Sequence, residues 1–143
     1  MRFRRVLVAN RGEIALRVLG TCHRLGIEAV LAASEADLDS LPARVADAVV
    51  PIGPPAAARS YLDPGAIARA AVAVGADAVH PGYGFLSESP RLARACADAG
   101  IVFVGPTPAQ LDAVGDKTAA RRLAAEASLP VLPGGQVGDA DEA

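Results

Sequence analysis

The sequence predicts an α/β fold, a Rossmann-like parallel sheet of about five strands with helices on both faces. Two observations lead to this prediction. Short apolar runs alternate along the chain with segments whose apolar residues recur at helical spacing. Three of the helical segments also open with a capping residue followed by proline and close at a glycine. Strands that alternate with helices form βαβ units, which build a parallel sheet.

The first half of the chain opens with a strand and a long helix. The apolar run 3–9 ends at Asn10 and is predicted as a buried strand. A helix is predicted over 12–25 because its apolar residues share one broad face, and Gly26 ends it. The remaining elements of this half are a strand, a short helix and a strand, predicted at 27–33, 41–46 and 48–52.

The second half is divided by stronger boundary signals. Helices are predicted to start at the pairs Asp63-Pro64, Ser89-Pro90 and Thr107-Pro108 and to end near Gly75, Gly100 and Gly115. Asp116 can cap a further helix over 117–127. Strands are predicted at 77–80 and 101–104, and the run 129–132 is one more candidate strand.

Composition excludes several classes of protein. The chain has 143 residues, 52% of them hydrophobic, and a net charge of −2. Its length fits one globular domain, and its slightly acidic balance argues against a nucleic-acid-binding domain. No apolar run reaches the roughly 20 residues that cross a bilayer. Cys22 and Cys96 lack metal-ligand spacing, so we predict no metal site, and two buried thiols indicate a cytoplasmic protein.

The first strand-to-helix turn does not fit dinucleotide binding. A G-x-G-x-x-G sequence is needed there, but residues 9–15 contain one glycine, Gly12. Glu13 already places a carboxylate at the positive end of the helix dipole, where a phosphate would have to bind. Arg11 has no local partner other than Glu13, so we expect these two side chains to pair.

Lys117 is the only lysine among the 14 lysine and arginine residues. The segment 114–118 is not a Walker A motif, because Gln110 stands where its first glycine would be and Asp116 precedes the lysine. A lysine near a helix start can bind a phosphate as a compact charge. The alternative is a solvated lysine, and the sequence leaves both open.

The segment 80–88, His-Pro-Gly-Tyr-Gly-Phe-Leu-Ser-Glu, is the densest candidate site. Gly82 and Gly84 allow a tight turn or a close approach to a ligand. Tyr83, between them, should be exposed rather than packed. Functional and structural roles are equally open for Tyr83 and Glu88.

The other polar and aromatic candidates are interpreted structurally. His80, at a strand end, is predicted to be a buried, hydrogen-bonded histidine. Phe85 and Leu86 are expected to pack into the core. Asp37 and Asp39 could form a carboxylate pair, but a solvated loop is the preferred interpretation.

Three segments resemble biotin carboxylase, the N-terminal part shared by the biotin carboxylase subunit of acetyl-CoA carboxylase and by propionyl-, methylcrotonyl- and pyruvate carboxylases. They are residues 8–15 (VANRGEIA), 80–88 (HPGYGFLSE) and 115–117 (GDK). The resemblance implies a pre-ATP-grasp domain over 1–114, with 115–143 a helix and linker leading to an ATP-grasp lid. It therefore implies a fragment, inactive alone, of a longer enzyme.

The implied reaction uses ATP and bicarbonate to carboxylate biotin on a carrier protein, in an ATP-dependent ligase. The resemblance assigns Lys117 to ATP, and it assigns Gly82, Tyr83 and Gly84 to a loop beside biotin and the phosphates. Glu88 would support that loop, and no firmly catalytic residue is implied beyond Tyr83 and Glu88 as candidates. The ligands of Mg²⁺ would lie outside the fragment.

The implied partners are a biotin carboxyl carrier protein or domain, a carboxyltransferase and bicarbonate, with no nucleic acid and no membrane. The pathway suggested is fatty acid biosynthesis. At the family's homodimer contact, Gly20 and Arg24 do not reproduce the family's charges, which leaves dimerisation open. Two alternatives are another ATP-grasp ligase, such as a purine-biosynthesis ligase or a carbamoyl-phosphate synthetase, and a non-catalytic ligand-binding module.

Overall fold

The structure, a computed structural model, describes residues 3–132 and contains one five-stranded sheet in the order β3-β2-β1-β4-β5. All neighbouring strands are parallel. The strands are β1 (Arg5–Val8), β2 (Glu28–Ser34), β3 (Ala48–Gly53), β4 (Ala78–His80) and β5 (Val102–Phe103). The predicted α/β class, with its parallel sheet of five strands, is confirmed.

Within residues 3–132, six α-helices connect or follow the strands. They are α1 (Gly12–Arg24), α2 (Leu41–Val45), α3 (Pro64–Ala73), α4 (Pro90–Asp98), α5 (Pro108–Val114) and α6 (Lys117–Glu126). The predicted caps are confirmed, because the side chains of Asp63, Ser89, Thr107 and Asp116 each accept a hydrogen bond from a backbone N–H in the first helical turn. No helix within residues 3–132 is long and apolar enough to cross a membrane.

The candidate strand at 129–132 is wrong. These residues have no regular secondary structure and follow a turn of two residues after α6. Pro130 has no N–H to donate to a neighbouring strand. The leucines on either side of it, Leu129 and Leu132, are 59% and 83% exposed, so the run buries no face against the sheet.

Helices cover both faces of the sheet, as predicted. Along β1, Leu7 contacts the face covered by α3 and α4, whereas Val6 and Val8 contact the face covered by α1. The two cysteines are buried free thiols, Cys96 in the first of these clusters and Cys22 in the second. Burial raises the pKa of the Cys96 thiol to about 11, so it stays protonated and packs as a small apolar group.

Aspartates stabilise the edge of the sheet where the strands begin. Asp77, just before β4, accepts hydrogen bonds from the backbone N–H groups of Arg4 (2.7 Å) and Arg5 (2.9 Å). Asp47, just before β3, accepts one from Ala29 (2.8 Å). These bonds favour the ionised carboxylate and hold the pKa of both aspartates below the usual value.

The sheet order places a crevice at the opposite edge. The chain runs from the central strand β1 outward through β2 and β3, then returns to the other side of β1 for β4 and β5. The connections that leave β1 and β4 therefore diverge to opposite faces. In such sheets ligands bind at this topological switch point, outside the carboxyl ends of the strands.

Candidate functional site

Asn10 joins the two loops that meet at the switch point. Its side-chain amide donates hydrogen bonds to the carbonyl oxygens of Pro81 (2.7 Å) and Tyr83 (2.8 Å). Its Oδ1 atom accepts from the backbone N–H of Arg11 (2.9 Å). The side chain is buried, so these bonds satisfy polar groups that water does not reach freely. The loop after β4 is thus tied to the end of β1.

The two glycines of the loop after β4, Gly82 and Gly84, have different structural roles. Gly82 and Gly84 both have a left-handed backbone, with φ of +67° and +68°. A Cβ on Gly82 would lie 2.7 Å from Asn10 Nδ2 and from Ile14 Cγ2, whereas a Cβ on Gly84 would meet nothing within 4 Å. Gly82 therefore permits close packing of the loops, while Gly84 supplies only a turn.

Tyr83 projects from this loop, as predicted, and is 66% exposed. Its hydroxyl lies 3.3 Å from Glu13 Oε1 and donates to that carboxylate. An open cleft of about 540 Å³ extends from this pair toward Arg11 and Asp37. The lining of the cleft thus combines an exposed aromatic ring with side chains of both signs of charge.

The expected pairing of Arg11 with Glu13 and the solvated loop expected for Asp37 are both wrong. The Arg11 guanidinium lies 4.0 Å from Asp37, whose side chain is only 19% exposed. Asp37 Oδ2 also accepts from Ser34 Oγ (2.6 Å) and from the Tyr61 hydroxyl (2.9 Å). Parallel strands end at one edge of the sheet, so the residues that follow β1 and β2 become neighbours. Asp39 is exposed, has no such partner within residues 3–132, and forms no carboxylate pair with Asp37.

Tyr61 connects this cluster to the loop of Tyr83. Its ring is buried and stacks on Phe85, with centroids 4.9 Å apart and an angle of 15° between the planes. The Arg11 guanidinium lies over both rings, 5.8 Å from the Tyr61 centroid and 5.5 Å from that of Phe85. Burial raises the pKa of Tyr61 to about 12, so its hydroxyl remains a donor to Asp37.

His80, Phe85 and Leu86 have the structural roles predicted for them. Nδ1 of the half-buried His80 accepts the backbone N–H of Gly82 at 3.0 Å, and burial lowers the pKa of the imidazole. A neutral imidazole with Nδ1 as acceptor thus stabilises the turn. Phe85 and Leu86 are partly buried and pack against the core cluster beside α3 and α4.

The side chains of Lys117 and Glu88 make no hydrogen bond or ion pair with the residues around Tyr83 in the described structure. Lys117 is the first residue of α6, and its exposed side chain makes no hydrogen bond or ion pair within residues 3–132. Glu88 is likewise exposed and unpaired in that part of the chain. Among the described residues no group of three or more His, Cys, Asp and Glu side chains could hold a metal ion.

Three residues that build the site were not predicted to do so. Asn10 and Tyr61 were not singled out, and Asp37 was interpreted as part of a solvated loop. Asn10 and Asp37 had a usable signal, since each follows a buried strand where ligand-binding loops of parallel sheets lie. No signal in the sequence marked Tyr61, because its stacking partner Phe85 lies in a different segment of the chain, after β4.

Comparison with known proteins shows the family. The profile of the biotin carboxylase N-terminal domain matches residues 2–111. The chain is 51% identical over 140 residues to a biotin carboxylase of Halalkalibacterium halodurans, covering 98% of this chain and 31% of that protein. It is 50% identical over 130 residues to the mitochondrial methylcrotonoyl-CoA carboxylase subunit alpha of Arabidopsis thaliana, covering 91% of this chain and 18% of that one.

A solved structure supports the same family. The chain superposes on the biotin carboxylase–β-γ-ATP complex from Campylobacter jejuni with a TM-score of 0.88 and 42% identity, covering 94% of this chain and 30% of that one. A parallel sheet with a cleft at the switch between β1 and β4 defines an α/β protein of Rossmann-like type. Together with the match over 2–111, this shows that the chain belongs to the biotin carboxylase N-terminal domain family. It spans about a third or less of the relatives it matches.

Proposed function

We propose that this chain is the N-terminal part of a biotin carboxylase, an ATP-dependent ligase that uses ATP and bicarbonate to carboxylate biotin on a carrier protein. The observation that carries the proposal is the loop 80–88, which presents an exposed Tyr83 at the switch-point cleft. Membership of the family supports the same reaction. Because the chain covers 31% of the first relative's length, the isolated chain is expected to be inactive.

Tyr83 is proposed to contact biotin, with Gly82 and Gly84 shaping the loop beside biotin and the phosphates. An exposed aromatic ring offers a flat apolar face to a bicyclic ligand, and its hydroxyl offers a polar end. Glu13 would orient that hydroxyl through the 3.3 Å contact. Glu88 is proposed to support the loop from its far end, with no direct part in the chemistry.

Lys117 is proposed to bind the phosphates of ATP. Its side chain is exposed and has no anionic partner within residues 3–132, so its charge is available to a ligand. Phosphoryl transfer depends on neutralising the charge that spreads over the phosphate oxygens. Residues 3–132 offer no cluster of acidic side chains that fits Mg²⁺, so no step here involves that ion.

The proposed partners are a biotin carboxyl carrier protein or domain and a carboxyltransferase, in the cytoplasm. Assignment to acetyl-CoA carboxylase and to fatty acid biosynthesis remains a proposal within this scheme. The division at 114–115, between the N-terminal domain and a helix leading to an ATP-grasp lid, also remains a proposal. It is compatible with a profile match that ends at residue 111.

Substitution of Lys117 in the full-length protein tests the proposed function. Lys117→Ala should raise the KM for ATP or abolish ATP-dependent carboxylation of free biotin, because it removes the proposed phosphate ligand. Arg122→Ala is the matched control, since it removes a cation from the same exposed helix and should leave the kinetics unchanged. Unchanged kinetics in Lys117→Ala would overturn its role. The isolated 143-residue chain should fold without bicarbonate-dependent ATPase activity, which serves as the blank.

A further inference from the structure

We propose that Asp37 is a positioning residue for Tyr83, acting through Tyr61 and Phe85. This inference rests on the proposed function, because it assigns Tyr83 to biotin. Asp37 follows β2, and its carboxylate is engaged within the protein rather than with a ligand. One of its oxygens, Oδ2, accepts from Ser34 Oγ and the Tyr61 hydroxyl and lies 4.0 Å from the Arg11 guanidinium.

The loop of Tyr83 has a second support besides the Asn10 amide. Phe85 has φ of +42°, a left-handed conformation that residues with a large side chain rarely adopt. Such a backbone persists only where surrounding contacts impose it. Gly84 has no side chain to pack on this side of the loop, whereas the side chain of Phe85 packs against the core.

Phe85 is supported by Tyr61 and Arg11. The stacked Tyr61 ring lies on one side, at a centroid distance of 4.9 Å, and the Arg11 guanidinium lies 5.5 Å from the Phe85 centroid. The Tyr61 ring is held in the packed core, so its hydroxyl depends on a partner within the protein. The Arg11 side chain is long and half exposed, so it can adopt other conformers unless a partner holds it.

Asp37 fixes both supporting groups at once. It accepts the Tyr61 hydroxyl, which in turn accepts the backbone N–H of Ser34 at 3.1 Å. It also places a negative charge beside Arg11. Removing the carboxylate therefore leaves the buried Tyr61 hydroxyl without its acceptor and the Arg11 guanidinium without this charge partner. Phe85 would then shift with its stacking partner, and the ring of Tyr83, two residues before it, would move while Asn10 still holds the Tyr83 carbonyl oxygen.

A readout on Tyr83 itself separates this inference from a general loss of stability. The chain has two tyrosines, so fluorotyrosine labelling gives two ¹⁹F resonances, one from buried Tyr61 and one from exposed Tyr83. Asp37→Ala should move both resonances, although Asp37 makes no bond to Tyr83. Asp39→Ala, an exposed aspartate in the same segment, should move neither.

The functional readout is the KM for biotin in the full-length protein. Asp37→Ala should raise the KM for free biotin by about tenfold, because a displacement of about 1 Å can cost up to roughly a hundredfold. The KM for ATP should change less than the KM for biotin, since the proposed phosphate ligand Lys117 lies on α6 and makes no bond to Asp37 in the described structure. If Asp37→Ala fails to fold, Tyr61→Phe gives the test, because it removes one hydroxyl and retains the stacked ring.

The possible outcomes separate the inference from the proposed function. A Tyr83 resonance that does not move in a folded Asp37 or Tyr61 variant overturns the positioning role. A resonance that moves while the KM for biotin is unchanged supports the positioning role and overturns the assignment of Tyr83 to biotin. Equal losses toward biotin and ATP would also contradict the inference, since they indicate a general structural defect.

Discussion

The side-chain amide of Asn10 donates a hydrogen bond of 2.8 Å to the carbonyl oxygen of Tyr83, a residue 73 positions away in the sequence. The same amide reaches Pro81, so one buried side chain satisfies two carbonyl groups of the loop after β4. Tyr83 is therefore exposed at its ring and anchored at its backbone. A ligand that binds the ring meets a surface that is already ordered, which lowers the entropy lost on binding.

Loss of the Asn10 amide should destabilise the fold. Asn10→Ala leaves the carbonyls of Pro81 and Tyr83 without their donor, and we expect the free energy of unfolding to fall by about 1–3 kcal/mol. Asn10→Asp should lower the free energy of unfolding further near neutral pH, because a carboxylate would face two carbonyl oxygens. Urea unfolding at a constant m-value provides the measurement. An Asp variant more stable than the Ala variant would contradict this account.

The two loop glycines form a matched pair for mutation. Gly84→Ala should cost about 1–2 kcal/mol, because alanine is strained in the left-handed region but meets no neighbour there. Gly82→Ala has the same strain and in addition a contact of 2.7 Å with Asn10 and Ile14. We expect a further loss of about 1–3 kcal/mol from overpacking. Thermal unfolding of both variants compares them directly, and equal losses would show that the close approach is absent.

Alkaline pH should weaken the fold through Tyr61. Its pKa is raised from 10.0 in the unfolded chain to about 12 in the folded one, so folding favours the protonated phenol. The stability that this supplies is complete below pH 10 and is lost as the pH rises toward 12. A pKa difference of this size corresponds to about 2–3 kcal/mol. Tyr61→Phe should lack this loss of stability in a pH series of urea unfolding curves. If its free energy of unfolding falls as steeply at alkaline pH as that of the unsubstituted chain, the loss does not come from Tyr61.

Acid should weaken the opposite edge of the sheet through Asp77. Its folded pKa lies below the ordinary value of 3.8 because the N–H groups of Arg4 and Arg5 donate to it. The stability from this group is present above the unfolded pKa and is lost as the pH falls through the folded pKa. Asp77→Asn should reduce the slope of stability against pH below about 4. Asp98→Asn, at the exposed end of α4, is a control that should retain the slope.

Local signals in the sequence predicted the elements well. Asp63, Ser89 and Thr107 each cap a helix through a backbone N–H three residues later, so their effect lies within one helical turn. The strands β1 and β2 were predicted because their residues are apolar on both faces, as expected for the centre of a parallel sheet. The false strand at 129–132 is apolar too, but Pro130 weakens its pairing and its leucines remain exposed to solvent.

The site was harder to predict because its contacts join residues that are far apart in the sequence. Tyr83 and its glycines were found from the local sequence, since two glycines around an aromatic residue indicate an exposed turn. The bond from Asn10 to Pro81 and that from Tyr61 to Asp37 span 71 and 24 residues. They form only because the order of the strands brings the ends of β1, β2 and β4 together. A single sequence predicts the existence of that edge but not which side chains meet there.

The position of β1 also dictates when the cleft can form. β1 is the first strand of the chain, and Val6 pairs with Ala29 of β2 on one side and with Ala78 of β4 on the other. The unit β1–α1–β2 can form as soon as the first third of the chain is available. One wall of the cleft is then present, but the loop of Tyr83 has no strand to follow. The cleft is completed only when β4 pairs with β1, so we expect ligand binding during refolding to begin no earlier than this pairing.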